Sequence, residues 1–234
     1  MDGRFSAEGA EGAAGAAGAE GGGVGGVGAH RRHRVRLEVS REASRLFWEQ
    51  GVDATTGDQI ARVVGLSTRT IWRLFRNKES CAEPIVTRGV AWEMSVLRRW
   101  PPHLSLEEHF AAEVRRYGRG ATDLDRLDDL LAMRMAVLAG TEPAVRTAWL
   151  MARDQARREM AEVIALRTRR QADDLQVLLY AAAVAAAVRV LNESIGAALL
   201  AGADPREFAD TPRLVARAVR SATGGAVGAP TTAT

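Results

Sequence analysis

The side chains between residues 65 and 78 have types and spacings that suit one chemistry, the reading of a nucleic-acid duplex. Thr68, Arg69, Thr70, Trp72 and Arg73 follow a Gly65-Leu66-Ser67 break and alternate with two apolar residues four apart, Ile71 and Phe75. On a short helix, Ile71 and Phe75 would anchor one face and leave hydroxyls, guanidinium groups and an aromatic ring on the others. Arginine bonds bidentately to guanine, and threonine offers base edges either a hydroxyl or a methyl. Phosphate contacts would come from the helix ends and from Lys78. For Arg69 and Arg73 the plain alternative is solvated surface charge, and for Trp72 it is packing.

Such a reader has to be held by other elements, and the sequence supplies them. Thr56-Gly57-Asp58-Gln59 fits a capping box, in which the Thr56 hydroxyl accepts from the Gln59 amide and the Gln59 side chain reaches back. Ile60, Ala61 and Val64 give the helix that starts there an apolar face. Gly65 then permits a sharp turn, Leu66 packs inward and Ser67 caps the next helix. Upstream, Val39, Ala43, Leu46 and Phe47 fall on one helical face while Arg41, Arg45 and Glu49 fall off it, and Gly51 ends the helix. A helix, a tight turn with glycine and a short polar-faced helix form the arrangement that enters a major groove.

The charge distribution agrees. The formal net charge is only +3, but residues 31–80 hold 11 Arg and Lys against 6 Asp and Glu, while residues 1–30 hold one against four. A polyanionic partner is therefore indicated near the N-terminus alone. Residues 7–29 are almost entirely Gly and Ala with scattered Glu, which read as a flexible tail. His30-Arg31-Arg32-His33-Arg34 follows as a basic arm that either tracks a phosphate backbone or is simply solvated. Cys81 is the only cysteine, which excludes an intramolecular disulfide and multi-cysteine zinc sites and suits a reducing, cytosolic setting. The longest apolar run, Val177 to Val188, is short of the roughly 18 residues of a membrane span and reads as a buried helix. No signal peptide is recognisable, so a cytoplasmic protein without membrane contact is expected.

Between the tails, apolar spacings of three and four predict helices at about 34–50, 57–64, 68–75, 78–99, 105–118, 123–139, 143–169, 172–201 and 206–220. Pro101-Pro102, Gly140 before Pro143, and Gly202 before Asp204-Pro205 punctuate them. Residues 222–234, uncharged and rich in Gly, Pro and Thr, are expected to fray.

Catalysis finds little support. His103, Glu107, Glu108 and His109 lie close in sequence, but two histidines six apart lack the four-residue spacing of helical metal ligands, and acids suit a solvated first turn. There is no phosphate loop, nucleophile elbow or dinucleotide fingerprint, so neither catalytic residues, nor a metal, nor a cofactor is expected. Met94, Phe110, Tyr117, Met133, Met135 and Trp149 are bulky or adaptable groups on the middle helices, suited either to plain core or to a variable cavity. Arg134, within Leu131-Ala-Met-Arg-Met-Ala-Val, faces either an acidic ligand or partner, or solvent.

Residues 35–81 resemble the TetR family of repressors through Ala43-x-x-Leu46-Phe47, Gly51, Thr55-Thr56, Ile60-Ala61-x-x-Val64-Gly65-Leu66-Ser67, Thr70-Ile71-Trp72, Phe75 and Asn77-Lys78-Glu79. The sequence departs from the family pattern at Glu42, usually small and apolar; Gly57, usually β-branched; Val64, usually Ala; Trp72, usually Tyr; and Cys81, usually Leu. An indole donates through nitrogen at a different reach from a phenol, so the Trp72 change bears on its phosphate contact. The resemblance implies DNA contacts from Thr55, Thr56, Trp72, Lys78 and the residues around Thr70, here Ser67, Thr68, Arg69 and Arg73. It also implies a helical ligand-binding and dimerisation domain, the last two long helices forming an intersubunit four-helix bundle.

The expected fold is all-α. An N-terminal three-helix helix-turn-helix DNA-binding domain (34–81) follows a disordered tail (1–33), and a C-terminal helical domain (82–220) precedes a second tail (221–234). The expected ligand pocket draws on Met94, Phe110, Tyr117, Met133, Arg134 and Trp149. The expected function is a homodimeric regulator, a repressor by family default, that binds a palindromic double-stranded DNA operator and is released by a small-molecule effector. Two alternatives stay open: a helical enzyme or carrier with a basic docking unit, and a sequence-independent DNA-binding protein.

Overall fold

The computed structural model describes residues 23–231; the expected tail at residues 1–22 and residues 232–234 lie outside the described residues. Among the described residues all regular structure is helical. In order these are α1 (Gly23–Gln50), α2 (Gly57–Val63), α3 (Thr68–Leu74), α4 (Glu83–Arg98), α5 (Leu106–Gly120), α6 (Asp123–Leu138), α7 (Pro143–Thr168), α8 (Leu175–Leu200) and α9 (Thr211–Ala222).

The chain falls into two units, residues 1–35 and 36–234. In the first, residues 23–35 are helical, so the helix begins at Gly23 rather than at the expected 34. Once a turn exists each further residue adds a backbone hydrogen bond, and the arginines at 31, 32 and 34 favour helix, so the basic arm is a helical segment with exposed side chains.

In the second unit, Val39, Ala43, Leu46 and Phe47 of α1, Ile60 and Ala61 of α2, and Ile71 with Phe75 after α3 are buried. The body is built on α4, which packs on α6 and α7; α7 packs on α8, and α8 on α6 and α9, while α5 lies on α9. Its core runs through Val96, Leu106, Ile164, Val177, Val184 and Val215. The helix expected from residue 78 starts instead at Glu83. Residues Glu79–Ala82 form a 3-10 turn, because Asn77 Oδ1 accepts from the Ser80 amide and Ser80 Oγ accepts from the Arg76 and Asn77 amides. The last helix likewise starts at Thr211, not 206, after a 3-10 turn at Pro205–Phe208 capped by Asp204.

Beyond α9, the chain does not fray as expected. Positive φ at Gly224, Gly225 and Gly228 folds it back, so that Val227 is buried and the Gly228 carbonyl accepts from the Leu106 amide at the start of α5 at 2.9 Å.

The run expected as a buried helix lies in α8, which within the chain is buried on one face. Only Val177, Ala181, Val184 and Gly196 are buried, whereas Leu175, Leu179, Ala182, Ala183, Ala186 and Val190 form an exposed apolar stripe on another face. By length and composition α8 is the one described helix able to cross a membrane, with a mean hydropathy of 1.7. Its ionisable residues are nonetheless tied to protein: Glu193 accepts from Arg189 and from the indole of Trp149 on α7.

Cys81 is fully buried, and desolvation pushes its thiol up to about 12. The folded protein at pH 8 should therefore resist iodoacetamide, with alkylation at least about tenfold slower than in urea by mass spectrometry. Equal rates would mean that the turn at Glu79–Ala82 opens readily.

Candidate nucleic-acid interface and body cavities

The helix-turn-helix forms by the local devices the sequence carries. Thr56 Oγ1 accepts from the Gln59 amide at 3.2 Å and Gln59 Oε1 accepts from the Thr56 amide at 2.7 Å, which closes the capping box of α2. Gly65 takes φ +67°, letting the Leu66 amide reach the Ala61 carbonyl at 2.9 Å. Ser67 Oγ then accepts from the Thr70 amide and caps α3.

This geometry brings Thr56, Ser67, Thr68, Arg69, Thr70, Trp72 and Arg73 onto α3 and the capped start of α2. Arg69 and Arg73 are exposed and have no hydrogen-bond or ion-pair partner among the described residues, so both guanidinium groups are available to a ligand. Thr68 Oγ1 donates to Asp58 Oδ1 at 2.6 Å, and the Ser67 and Thr70 hydroxyls lie 2.9 Å apart.

Thr55 does not share that surface. It is fully buried, its hydroxyl donating to the Gly51 carbonyl at 2.8 Å and accepting from Gln50 Nε2 at 3.1 Å. The hydroxyl closes the turn between α1 and α2, so its place is in the scaffold. Lys78 is half-buried, and its Nζ donates to the Val52 and Asp53 carbonyls at 2.7 and 3.2 Å, which holds that same turn against the end of α3.

Two of the departures from the family pattern explain each other. A Cβ at Gly57 would lie 2.6 Å from Trp72 Cη2 and closer still to Cζ2, so the indole occupies the space where a β-branched side chain would stand. The missing side chain makes room for the larger ring, which stays 43% exposed. Spacing alone could not reveal this, because residues 57 and 72 meet only after the turn at Gly65.

The body holds two cavities of note. A small one, about 60 Å³, is mostly apolar and lined by Phe110, Leu106, Met160, Val184 and Val227 among others. A larger one, about 330 Å³, takes Tyr117, Met133 and Trp149 of the expected pocket residues and adds Trp92, Glu93 and Arg153. Met94 and Arg134 line neither. Met94 belongs to the hydrophobic core, and Arg134 stacks over Trp48, 5.4 Å from the ring centroid. Glu93, Asn192 and Thr211 border both cavities. Glu93 accepts from Arg153 Nη1 at 2.7 Å and from Asn192 Nδ2 at 2.6 Å. The sequence signals for this cluster were an acid among apolar residues in Trp92-Glu93-Met94 and the polar pair Asn192-Glu193 within apolar α8.

A bidentate ion pair joins α1 to the body. Arg41 Nε and Nη2 donate to Asp128 Oδ1 and Oδ2 of α6 at 2.6 and 3.0 Å, and Arg88 Nη1 of α4 lies 2.9 Å from Asp128 Oδ2. Arg88 also pairs with Asp125. Asp128 is almost completely buried.

The comparisons with known proteins agree with this geometry. The family pattern described as bacterial regulatory proteins, tetR family, matches residues 41–85. The HTH-type transcriptional regulator TcmR of Streptomyces glaucescens is 32% identical over 146 residues, which is 60% of this chain and 63% of TcmR, so the match spans less than two thirds of that relative. Among solved structures, Salmonella enterica GusR superposes with a TM-score of 0.53 at 16% identity over 82% of this chain and 95% of its own. A candidate TetR-family transcriptional regulator from Mesorhizobium loti gives 0.50 at 20% identity over 83% and 97%. At such identities the two structures speak for the fold, while the sequence matches carry the helix-turn-helix. Residues 41–85 therefore match the helix-turn-helix of the tetR family of bacterial regulatory proteins, and the chain is similar to a transcription regulator over 146 residues.

Proposed function

We propose that the protein is a homodimeric repressor that binds a palindromic operator and releases it when a small molecule occupies the body, acting in the cytoplasm without catalysis of its own. The observation that carries the DNA-reading part is the outer face of α3, where Arg69 and Arg73 stand exposed and unpartnered beside Trp72. Buried partners would have neutralised them; free guanidinium groups on a helix held by Ile71 and Phe75 suit base edges. His30, Arg31, Arg32, His33 and Arg34, exposed on their helical segment, add a surface for backbone phosphates. Selection of bound duplexes from a random pool at near-physiological salt tests the reading. A two-fold symmetric motif is the expected result, and recovery of unselected DNA would favour a sequence-independent binder.

The apolar stripe of α8 supports the dimer. Leu179 and Ala183 lie exposed one turn apart within it, so Ala183→Glu should put a charge at the centre of an intersubunit helix pair. Sedimentation velocity should then show at least a tenfold weaker dimer. An unchanged dimer would place the interface elsewhere.

Trp72 supplies a further check. Gly57→Ala adds a Cβ where the indole lies, and because the ring is partly exposed it can swing away at little cost in stability. Operator affinity should fall by about 1 kcal/mol, the worth of one hydrogen bond, with Tm nearly unchanged. Unaltered affinity would make Trp72 a packing residue only.

A further inference from the structure

The larger cavity, bordered by α4, α5, α6, α7 and α8, has a lining that narrows the chemistry of its ligand. Its walls are Trp92 and Tyr117, whose ring centroids lie 5.3 Å apart, with Trp149 and Met133. These present flat, polarisable faces and an adaptable thioether. A volume of about 330 Å³ admits a molecule of two or three fused rings.

Three ionisable side chains other than Tyr117 line it, Glu93, Asp129 and Arg153. Arg153 is nine-tenths buried, stacked 4.5 Å over Trp149, and ion-paired to Glu93 at 2.7 Å. That pairing uses the terminal nitrogens of the guanidinium, and the Nε–H is buried without any hydrogen-bond partner. A buried charged donor left unpaired is costly, so the site is built to be completed by an acceptor. Asp129 accepts from the Tyr117 phenol at 2.8 Å, and burial with that bond pushes the phenol up to about 12, so it stays a donor. With Arg153 already matched by Glu93, Asp129 leaves a surplus of negative charge. An anionic ligand would be repelled, and the unfilled valence is a donor, which a cation cannot satisfy.

We propose that this cavity takes a neutral aromatic molecule bearing a carbonyl oxygen, which accepts from Arg153 Nε while its rings lie among Trp92, Tyr117, Met133 and Trp149. The inference rests on the effector-regulated reading above and names the effector's chemistry. The shared border at Glu93 and Asn192 lets an apolar substituent reach toward the smaller cavity under Val227.

Calorimetric titration of the full chain with three naphthalene probes tests this: 2-acetylnaphthalene, its near-isostere 2-ethylnaphthalene without the oxygen, and the anion 2-naphthoate. The ketone should bind at least tenfold more tightly than the hydrocarbon, and also more tightly than the anion. Arg153→Lys keeps a cation for Glu93 but has no Nε; it should fold normally by circular dichroism and bring the ketone-to-hydrocarbon ratio to within about twofold of one. Equal binding of ketone and hydrocarbon, preference for the anion, no binding of the ketone, or a ratio unchanged in Arg153→Lys would each overturn the proposal. Arg153→Met, which fills similar volume without charge, repeats the test if the lysine variant unfolds. A protein that selects an operator but shows no ketone preference refutes this inference alone. Ketone preference without any selected operator refutes the regulator reading alone.

Discussion

Asp128→Ala is expected to destabilise the protein by about 3–5 kcal/mol, the cost of leaving a buried charge without its partner. The carboxylate is 1% exposed and receives three charged contacts, two from Arg41 of α1 and one from Arg88 of α4. Removing it leaves the Arg41 guanidinium, itself only 15% exposed, without a counter-ion. Arg88 keeps Asp125, so the loss should show first at Arg41, through α1. Urea unfolding at one fixed protein concentration measures it, since the apparent stability of the proposed dimer would depend on concentration. The paired replacement Arg41→Met with Asp128→Leu should recover most of the stability, because two apolar groups replace two mutually satisfied charges. A cost below about 1 kcal/mol for Asp128→Ala would mean that water reaches the pair. Asp125 adds a pH dependence of known sign. Its carboxyl is held down to about 2, from an ordinary 3.8, by the Thr122 hydroxyl and amide and then by Arg88. That contribution is complete above about pH 4 and is lost as the pH falls through 2.

For the effector-released repressor proposed above, this ion pair would be the body's route to the reading head. The residue lies on α6 between Asp125 and Met133, and Met133 lines the larger cavity. A ligand that favours a different placement of α6 would move the anchor of Arg41, and the shift in DNA affinity equals its preference between the two placements. Arg41→Met with Asp128→Leu should then keep operator binding but weaken any effector response.

What the sequence made legible was local. The capping box at Thr56, the turn at Gly65 and the buried faces of α1 to α3 all depend on residues within a few positions of each other, so spacing revealed most of them. What stayed hidden depends on distant pairs. Asp128 reads as one more acid in Asp125-Arg126-Leu127-Asp128-Asp129, and only the approach of α1 makes it the buried partner of Arg41. Thr55 illustrates the reverse. A threonine beside a helix start suits a phosphate, and its loss to the scaffold depends on Gly51 and Gln50 folding over it. The C-terminal residues have the composition of a frayed end, yet three glycines at positive φ bring Val227 into the core.

The remaining large effects lie on α3 and just beyond it, where Arg69, Arg73 and Lys78 should separate by what kind of binding each supports. Arg69→Ala or Arg73→Ala is expected to cost about 1–3 kcal/mol on the selected operator, roughly 5- to 150-fold, with random DNA affected far less. The reason lies in their freedom: neither guanidinium has a partner to leave, so each meets a base edge without breaking a protein contact. Lys78→Ala should instead weaken both DNAs alike and reduce the slope of log K against log salt by about 1, as for a lost phosphate contact. Its ammonium also holds the Val52 and Asp53 carbonyls, so the loss should exceed that of a simple phosphate lysine and be accompanied by a lower Tm. Lys78→Arg, which keeps the charge and can still reach those carbonyls, should restore most of the affinity and the salt slope. Titrating all four variants against operator and random duplexes at several salt concentrations separates the roles. Equal losses on both DNAs for Arg69, Arg73 and Lys78 would place all three on the phosphate backbone and move base reading to Thr68, Thr70 and Trp72.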